Sequence, residues 1–335
     1  MPKGYRIAIV GASTPVGKEI VKILEERAFP ALEVVALEAR GAMEGHGALL
    51  ELDIPVRTLE EGTFKGFDLA FFASGPRVSM DFARQARSEG AVVIDLSVAF
   101  RMDREVPLVI PEINPEDALS HRGIIACPSA GAIQMALVLV PIHRKAVVRR
   151  VVASTYQAVS DAGEGAMNEL TEQITELFNF QEAASSVFQH QIAFNVIPQV
   201  GVFLESGYSS EETGVMAEMR RMLGDGLRIS VTTAHVPVFY AHSQSLAVET
   251  EKKVSAAEVK RLLKGAPGVK VEDKPSAGVY PLAVYAAGKD ECSVGRIRED
   301  QSADNGIALW SAMDNVRKGA ALNAVQIAEL VIGGR

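Results

Sequence analysis

The fold is decided by the stretch Arg6-Ile7-Ala8-Ile9-Val10-Gly11-Ala12-Ser13-Thr14-Pro15-Val16-Gly17. A short apolar run rich in β-branched residues ends here in a glycine-containing turn, and residues 18–26 continue with apolar side chains at helical spacing. Strand, turn and helix in this order are typical of a phosphate-cradling start, in which Gly11 allows the tight turn and Gly17 allows close helix packing. Thr14 stands where the usual pattern has its middle glycine. A strand-to-helix turn without a ligand is therefore the alternative.

The second predicted strand, residues 33–37, ends at Glu38-Ala39-Arg40. An acidic residue at this place can accept the ribose 2′-hydroxyl of NAD, whereas an arginine can bind the 2′-phosphate of NADP. With Glu38 and Arg40 both present, the sequence leaves NAD and NADP open, and either residue could also be an ordinary surface charge.

Further strands are predicted at residues 69–73 and 91–95, with a helix around residues 80–88 between them. This alternation predicts an α/β fold with a Rossmann-like, doubly wound parallel sheet, whose ligands bind at the carboxyl ends of the strands. The residues that follow those strand ends are expected on the cofactor rim, namely Ser74, Gly75, Ser97 and Arg101.

After about residue 130 the pattern changes. Predicted strands at 151–160, 228–238 and 244–250 no longer alternate with helices, which favours an α+β domain with a mostly antiparallel sheet whose outer face forms a dimer surface. A helix over 167–178 carries Glu169, Glu172 and Glu176, which we interpret as a solvated face. We expect a dinucleotide-binding domain at 1–130, a substrate and dimerisation domain at 131–313, and a C-terminal helix at 314–335 that returns to the first domain.

Composition excludes several classes of function. A net charge of −8 argues against nucleic-acid binding, and no apolar run is long enough for a membrane span, so a cytoplasmic protein is expected. Two cysteines and six widely spaced histidines predict neither a disulfide framework nor a metal site.

The segment at residues 124–135 reads as a buried strand, a proline-containing turn and the start of an apolar helix. A helix N-terminus beside a cofactor pocket stabilises a thiolate, because its N–H groups and dipole favour an anion. Here the turn holds Ser129, Ala130 and Gly131 instead of a thiol. Cys127 lies three residues upstream, at the end of the strand, where we interpret it as a small buried apolar residue.

Several blocks, in order along residues 7–332, resemble the aspartate-semialdehyde dehydrogenase family. The most specific are residues 93–101, 107–114, 155–160, 194–199, 294–298 and 314–329. The resemblance implies an NADP-dependent, phosphate-using interconversion of aspartyl phosphate and the semialdehyde. In that reaction a cysteine thiolate attacks the acyl carbon and hydride from the cofactor reduces the thioester.

Carried over by position, the family's catalytic residues are only partly present. Its Asn-Cys-Ser-Thr turn falls on residues 129–132, so Ala130 stands at the nucleophile position. Its acid/base histidine matches His242 and its orienting glutamine matches Gln157. Its substrate-carboxylate arginine falls on His235.

Other parts of the family's pattern are altered or kept. The Glu-Glu-x-Lys segment resembles residues 211–214, in which Glu211 remains and the lysine is Gly214, while Arg101 remains for phosphate. The cofactor residues implied by the resemblance are Gly11, Ser13, Thr14, Val16, Gly17, Asn315 and Gln326. This combination is similar to the thiol-less paralogues of the family, called Usg-type.

Three functions follow as hypotheses. The first is a dimeric, NAD- or NADP-binding homologue without the parent activity, acting as a homodimer or as a heterodimer with an active relative. The second is an oxidoreductase that transfers hydride directly to a carbonyl, with His242 as the proton donor. The third is residual aspartate-semialdehyde dehydrogenase activity through Cys127.

Overall fold

The computed structural model describes residues 4–38 and 54–334, and the chain forms two compact units. Unit 1 consists of Met1–Ser129 and Ala320–Arg335, and unit 2 consists of Ala130–Gly319.

Unit 1 contains a six-stranded sheet in the order β3-β2-β1-β4-β5-β6, in which every pairing is parallel. The four strands β1, β4, β5 and β6 are almost continuously buried, as expected for a parallel sheet covered on both faces. The predicted Rossmann-like sheet is therefore confirmed. Its elements are β1 (Tyr5–Val10), α1 (Pro15–Glu26), β2 (Ala31–Glu38), β3 (Val56–Thr58), β4 (Leu69–Phe72), α2 (Pro76–Ser88), β5 (Val92–Asp95), α3 (Pro115–Leu119) and β6 (Ile124–Ala126).

Unit 2 contains a second six-stranded sheet in the order β10-β11-β12-β9-β7-β8. Three of its pairings are antiparallel and two are parallel, so the predicted second sheet is present as a mixed sheet. Its elements are α4 (Ala130–Ala146), β7 (Val148–Gln157), α5 (Glu164–Phe178), α6 (Ser210–Leu223), β8 (Arg228–His235), β9 (His242–Thr250), α7 (Ala256–Lys264), β10 (Val269–Val271), α8 (Ala283–Ala286), β11 (Cys292–Asp300) and β12 (Gly306–Met313).

Helix α4 lies against strands β7, β9, β11 and β12 of this sheet. Its residues from Gly131 to Val140 are all buried, because apolar side chains surround the helix instead of forming one stripe. The sheet and the surrounding elements thus hold the N-terminus of α4 at a fixed place in unit 2.

Helix α5 begins three residues before the predicted start at residue 167, and one of its predicted surface residues is buried. Glu169 is buried, and its carboxylate accepts hydrogen bonds from the backbone N–H groups of Ser186, Val187 and Phe188. Glu172, on the same helix, is exposed. The interpretation as a solvated face is therefore wrong for Glu169, because the loop at 184–188 folds over it and supplies donors.

The last helix, α9 (Leu322–Gly333), packs within unit 1, where its apolar side chains join the core that α1 and the parallel sheet form. Asn323 donates a hydrogen bond to the carbonyl oxygen of Val109, and Arg27 forms a bidentate ion pair with Glu329. A π-helical turn, Arg317–Ala321, precedes α9, so the helical segment begins later than the predicted residue 314.

Candidate functional site

The passage from β1 into α1 requires a glycine at two places, Gly11 in the loop and Gly17 in the first turn of the helix. Gly11 has a φ of +82°, in the region that favours glycine, and its N–H donates to the carbonyl oxygen of Leu37 at 3.1 Å. A β-carbon on Gly17 would lie 2.2 Å from the carbonyl oxygen of Gly11. The backbone geometry alone therefore accounts for these two glycines.

Thr14 caps helix α1. Its hydroxyl oxygen accepts the N–H of Gly17 at 3.0 Å and donates to the carbonyl oxygen of Gly11 at 2.8 Å. Pro15 follows at the first helical position and Val16 lies half-buried in the first turn. The residue that breaks the glycine pattern thus stabilises the helix start.

Glu38, at the end of β2, is buried, and its carboxylate accepts the N–H of Ser13 at 2.8 Å. This hydrogen bond fixes the loop at the carboxyl edge of the sheet. Arg40, the other residue considered there, lies outside the described residues.

Ser74 and Gly75 lie at the same edge as Gly11. A β-carbon on Gly11 would be 3.1 Å from Cβ of Ser74, so the ends of β1 and β4 are adjacent. The Ser74 hydroxyl is buried and has no hydrogen-bond partner within the described part of the chain. Gly75 is the N-cap of α2 and has no atom within 4 Å of its β-carbon position. The structure therefore brings three of the predicted cofactor residues together.

The end of β5 carries a buried carboxylate. Burial raises the pKa of Asp95, although hydroxyls of Ser79 and Ser97 donate to it at 2.6 and 2.9 Å and the nearby Arg101 charge also opposes the shift. Arg101 donates to the carbonyl oxygens of Cys127 and Leu96 at 3.0 and 2.9 Å. Hydrogen bonds from Ser97 and Arg101 thus fix the position of the carboxyl end of β5. Asp95 itself was not singled out from the sequence, although an acidic residue closing an apolar strand is a recognisable signal.

The two residues that the resemblance assigns to the nicotinamide side lie in different units. Gln326, in unit 1, donates to Glu112 at 3.0 Å. Asn315, in unit 2, is buried, accepts the N–H of Ala241 at 3.0 Å and donates to Ser160 at 3.0 Å.

In unit 2, Ala130 is the first residue of α4 and is half-buried. A β-carbon on Gly319 would lie 2.7 Å from Cβ of Ala130, so the π-helical turn closely approaches this helix start. The carbonyl oxygen of the next residue, Gly131, accepts a hydrogen bond from Gln244 at 2.9 Å. These contacts fix the position of the N-terminus of α4, and the side chain at its first residue is the methyl group of Ala130.

Three polar residues meet at neighbouring strand ends. Gln157 ends β7 beside His235, which ends β8 in register with it, and His242 begins β9. Gln157 donates to Glu211 of α6 at 3.5 Å. The predicted catalytic residues and two predicted substrate residues are therefore close together in unit 2.

His242 is almost fully buried and has a defined orientation. Its Nδ1 accepts the N–H of Ala158 at 3.1 Å, so the neutral ring carries its proton on Nε2. Nε2 lies 3.5 Å from Oδ1 of Asp161. Asp161 was missed from the sequence, because nothing in its local pattern distinguishes it from a turn residue. We call Gln157, Asp161, His235 and His242 the strand-end cluster.

His235 is buried, with its ring edge-on to that of Phe188 at 5.1 Å between centroids. Burial lowers the pKa of His235, and the neighbouring His242 acts in the same direction, whereas Asp161 and a backbone hydrogen bond with Gln157 oppose the shift. The imidazole is consequently mainly neutral at pH 7.

Both thiols are fully buried in the core. Cys127 belongs to the core of unit 1, and Cys292 begins β11 in unit 2. Burial raises the pKa of Cys292 to about 12, so it remains a thiol at neutral pH.

Neither a metal cluster nor a membrane helix is found in the described ranges. No group of three or more His, Cys, Asp or Glu side chains there could hold a metal ion. No helix in residues 4–38 and 54–334 has the length and apolar character needed to cross a bilayer.

Two family models cover most of the chain. Residues 6–121 match the semialdehyde dehydrogenase NAD binding domain, and residues 139–318 match the semialdehyde dehydrogenase dimerisation domain. Together with the parallel sheet of unit 1 and the mixed sheet of unit 2, these matches place the chain in the semialdehyde dehydrogenase class of proteins, with an NAD-binding and a dimerisation domain.

Whole-chain relatives narrow the class. The chain is 46% identical to the aspartate-semialdehyde dehydrogenase of Aquifex aeolicus, with 98% of each chain covered, and 38% identical to that of Bacillus subtilis, again with 98% of each covered. The crystal structure of aspartate semialdehyde dehydrogenase II from Vibrio cholerae superposes with a TM-score of 0.93 at 36% identity over 99% of both chains. The chain belongs to the aspartate-semialdehyde dehydrogenase family.

Proposed function

We propose that this chain binds a nicotinamide dinucleotide as a homodimer and lacks the thiol-dependent reaction of the aspartate-semialdehyde dehydrogenases. The observation that carries the proposal is Ala130 at the first position of α4. The resemblance assigns the nucleophilic cysteine to this position, and a methyl group cannot attack an acyl carbon or form a thioester.

Neither cysteine supplies a replacement. Cys127 is fully buried, and Cys292 is buried with a raised pKa of about 12. A nucleophilic cysteine needs an accessible environment that favours the thiolate. These two side chains therefore support a structural role instead of a catalytic one.

Two further differences from the family's pattern also support the loss of the parent reaction. His235 stands where the resemblance places the substrate-carboxylate arginine, and Gly214 stands where it places a lysine. Removing a nucleophile from a coupled catalytic set costs about a millionfold in turnover, and losing its partners adds little more. We propose on this ground that the protein is a thiol-less paralogue of the Usg type.

The proposal is tested by measuring the rate of cofactor reduction in the presence of L-aspartate semialdehyde, phosphate and either NADP or NAD. We expect no turnover above background for the unaltered protein. Turnover within a thousandfold of an active relative would contradict the proposal, and its loss in Cys127→Ser would then assign the reaction to Cys127. Ala130→Cys, with Ala130→Ser as its matched control, tests whether a thiol alone restores the reaction.

Cofactor binding is tested separately by calorimetric titration with NAD, NADP and their reduced forms, with and without phosphate. The glycine loop and the family match support micromolar binding. Absence of binding to all four would contradict a working nucleotide site. The titration also decides between NAD and NADP.

A second candidate function is favoured by the orientation of His242. Because Nδ1 accepts the Ala158 N–H, the proton of the neutral ring lies on Nε2, which is also 3.5 Å from Oδ1 of Asp161. In direct reduction, Nε2–H of His242 would hydrogen-bond to the carbonyl oxygen of the substrate, and a proton from solvent, relayed through His242, would complete the alcohol; the reduced nicotinamide, when bound, would supply the hydride. A panel of carbonyl compounds that never stimulates cofactor oxidation, or that does so equally in His242→Ala, would rule this out.

The match to a dimerisation domain supports a homodimer. A heterodimer with an active relative is a further proposal, since the two chains would share this domain. Mixing differently tagged copies of both proteins tests it, and recovery of homodimers alone would count against it.

A further inference from the structure

Two atoms of the strand-end cluster lack the hydrogen bonds that buried polar atoms normally make. Oε1 of Gln157 and Nδ1 of His235 are buried and have no partner within the described residues. The two side chains are cross-strand neighbours, because Gln157 and His235 pair in the parallel register of β7 and β8. Buried polar atoms are nearly always bonded to protein, water or ligand, so two unpartnered atoms on paired residues indicate a binding position for a polar group.

The groups around these atoms disfavour a carboxylate ligand. Oδ1 of Asp161 lies 3.5 Å from Nε2 of His242, and Oε1 of Glu211 lies 3.5 Å from Nε2 of Gln157, so the cluster contains one carboxylate and a second borders it. His235 adds no fixed positive charge, since burial lowers its pKa and keeps the ring mainly neutral at pH 7. An imidazole in this state lacks the bidentate charged fork with which an arginine holds a carboxylate.

The hydrogen-bonding atoms of the cluster suit a ligand that carries an amide or a hydroxyl group. Oε1 of Gln157 can only accept a hydrogen bond, Nε2 of His242 donates in its neutral form, and Nδ1 of His235 accepts or donates according to the tautomer. A ligand that both donates and accepts satisfies all three, whereas a carboxylate only accepts.

We infer that the strand-end cluster binds an uncharged carbonyl compound bearing an amide or hydroxyl group, with Gln157 accepting a ligand hydrogen and His242 donating to a ligand oxygen. This inference rests on the proposed function, in which the site no longer handles a dianionic acyl phosphate. It adds the substrate class, which the missing thiol alone does not determine.

The experiment compares three four-carbon probes that differ in charge: succinamide, succinamate and succinate. Their binding to the full-length protein at pH 7 is measured by ligand-observed NMR titration. We expect the dissociation constant of succinamide to be at least tenfold lower than that of succinate, with succinamate between them. Equal affinities, the opposite order, or no binding of any probe would overturn the inference.

Two variants test the residues involved. His235→Arg introduces a fixed positive charge and is expected to reverse the order of the probes. His143→Arg makes the same substitution in the last turn of α4, outside the strand-end cluster, and is expected to leave the order of the three probe affinities unchanged. Asp161→Asn, at a partly exposed side chain, is expected to narrow the difference between succinamide and succinate even if the buried His235 variant does not fold. An unaltered order in a folded His235→Arg protein would contradict the role of His235.

Nicotinamide binding is measured on the same preparation. Cofactor binding without a preference for succinamide defeats the substrate inference alone. A preference for succinamide without cofactor binding defeats the proposed nicotinamide function alone.

Discussion

A β-carbon on Gly17 would lie 2.2 Å from the carbonyl oxygen of Gly11, so α1 touches the loop that precedes it. Gly17→Ala must therefore displace the backbone of the loop, and we expect the free energy of unfolding to fall by about 1–3 kcal/mol. Urea denaturation measures this change. Gly333→Ala, where a β-carbon meets no atom within 4 Å, is the matched control and should stay within about 0.5 kcal/mol. Equal stabilities of the two variants would show that the loop relaxes at no cost.

The second prediction concerns the hydroxyl of Thr14. Thr14→Val keeps the shape of the side chain but removes the oxygen that accepts the Gly17 N–H. We expect a loss of about 1 kcal/mol in unfolding free energy, typical of a lost N-cap. Thr171→Val removes a hydroxyl bonded to a carbonyl oxygen one turn earlier in α5, and should change stability little. A Thr14 variant as stable as the Thr171 variant would contradict the capping role.

A third prediction concerns the tautomer of His242. Because its Nδ1 accepts the N–H of Ala158 at 3.1 Å, we expect the neutral ring to carry the proton on Nε2. Long-range ¹H–¹⁵N correlation spectra of histidine-labelled protein distinguish the two tautomers. His121, whose Nδ1 accepts the N–H of Gly123 at 3.0 Å, provides an internal reference. A proton on Nδ1 of His242 would remove the basis for proton donation by Nε2.

The fourth prediction concerns stability in acid. Burial opposes ionisation of Glu169, but donors from residues 186–188 outweigh it, so the pKa of Glu169 lies below its usual value of 4.5. A carboxyl with a lowered folded-state pKa stabilises the fold above its unfolded pKa and loses that contribution as the pH falls through the folded value. We expect Glu169→Gln to cost about 1–3 kcal/mol near neutral pH and to unfold with a weaker pH dependence below pH 4.5.

Urea denaturation between neutral pH and about pH 3 checks that expectation, because the window spans the usual carboxyl range. Glu172→Gln, at an exposed site on the same helix, is the control and should follow the unaltered protein throughout. If both variants behave alike, the contacts of Glu169 do not stabilise the loop.

The sequence was sufficient for five of the six strands of the parallel sheet, because they are local apolar runs, whereas the three-residue edge strand β3 was not predicted. The meeting of Gln157, His235 and His242 followed from the family resemblance, not from periodicity. Their contact depends on the register of β7, β8 and β9, which joins residues far apart in the chain.

The roles of two carboxylates could not be predicted from the local sequence pattern. Asp161 lies in a short turn-like segment, and its position 3.5 Å from Nε2 of His242 depends on the fold. Glu169 has the spacing of an ordinary surface charge, yet the loop at 184–188 covers it. In both cases a long-range contact determines what the carboxylate does.

Helix α9 completes the core of unit 1, although the whole of unit 2 precedes it in the chain. During translation, the apolar surface that α9 covers stays open until unit 2 has been synthesised. Unit 2 is continuous in sequence, whereas unit 1 is assembled from two separate segments. A nascent chain arrested before residue 320 would therefore expose a hydrophobic face in its earliest-made part, which is where chaperones would bind.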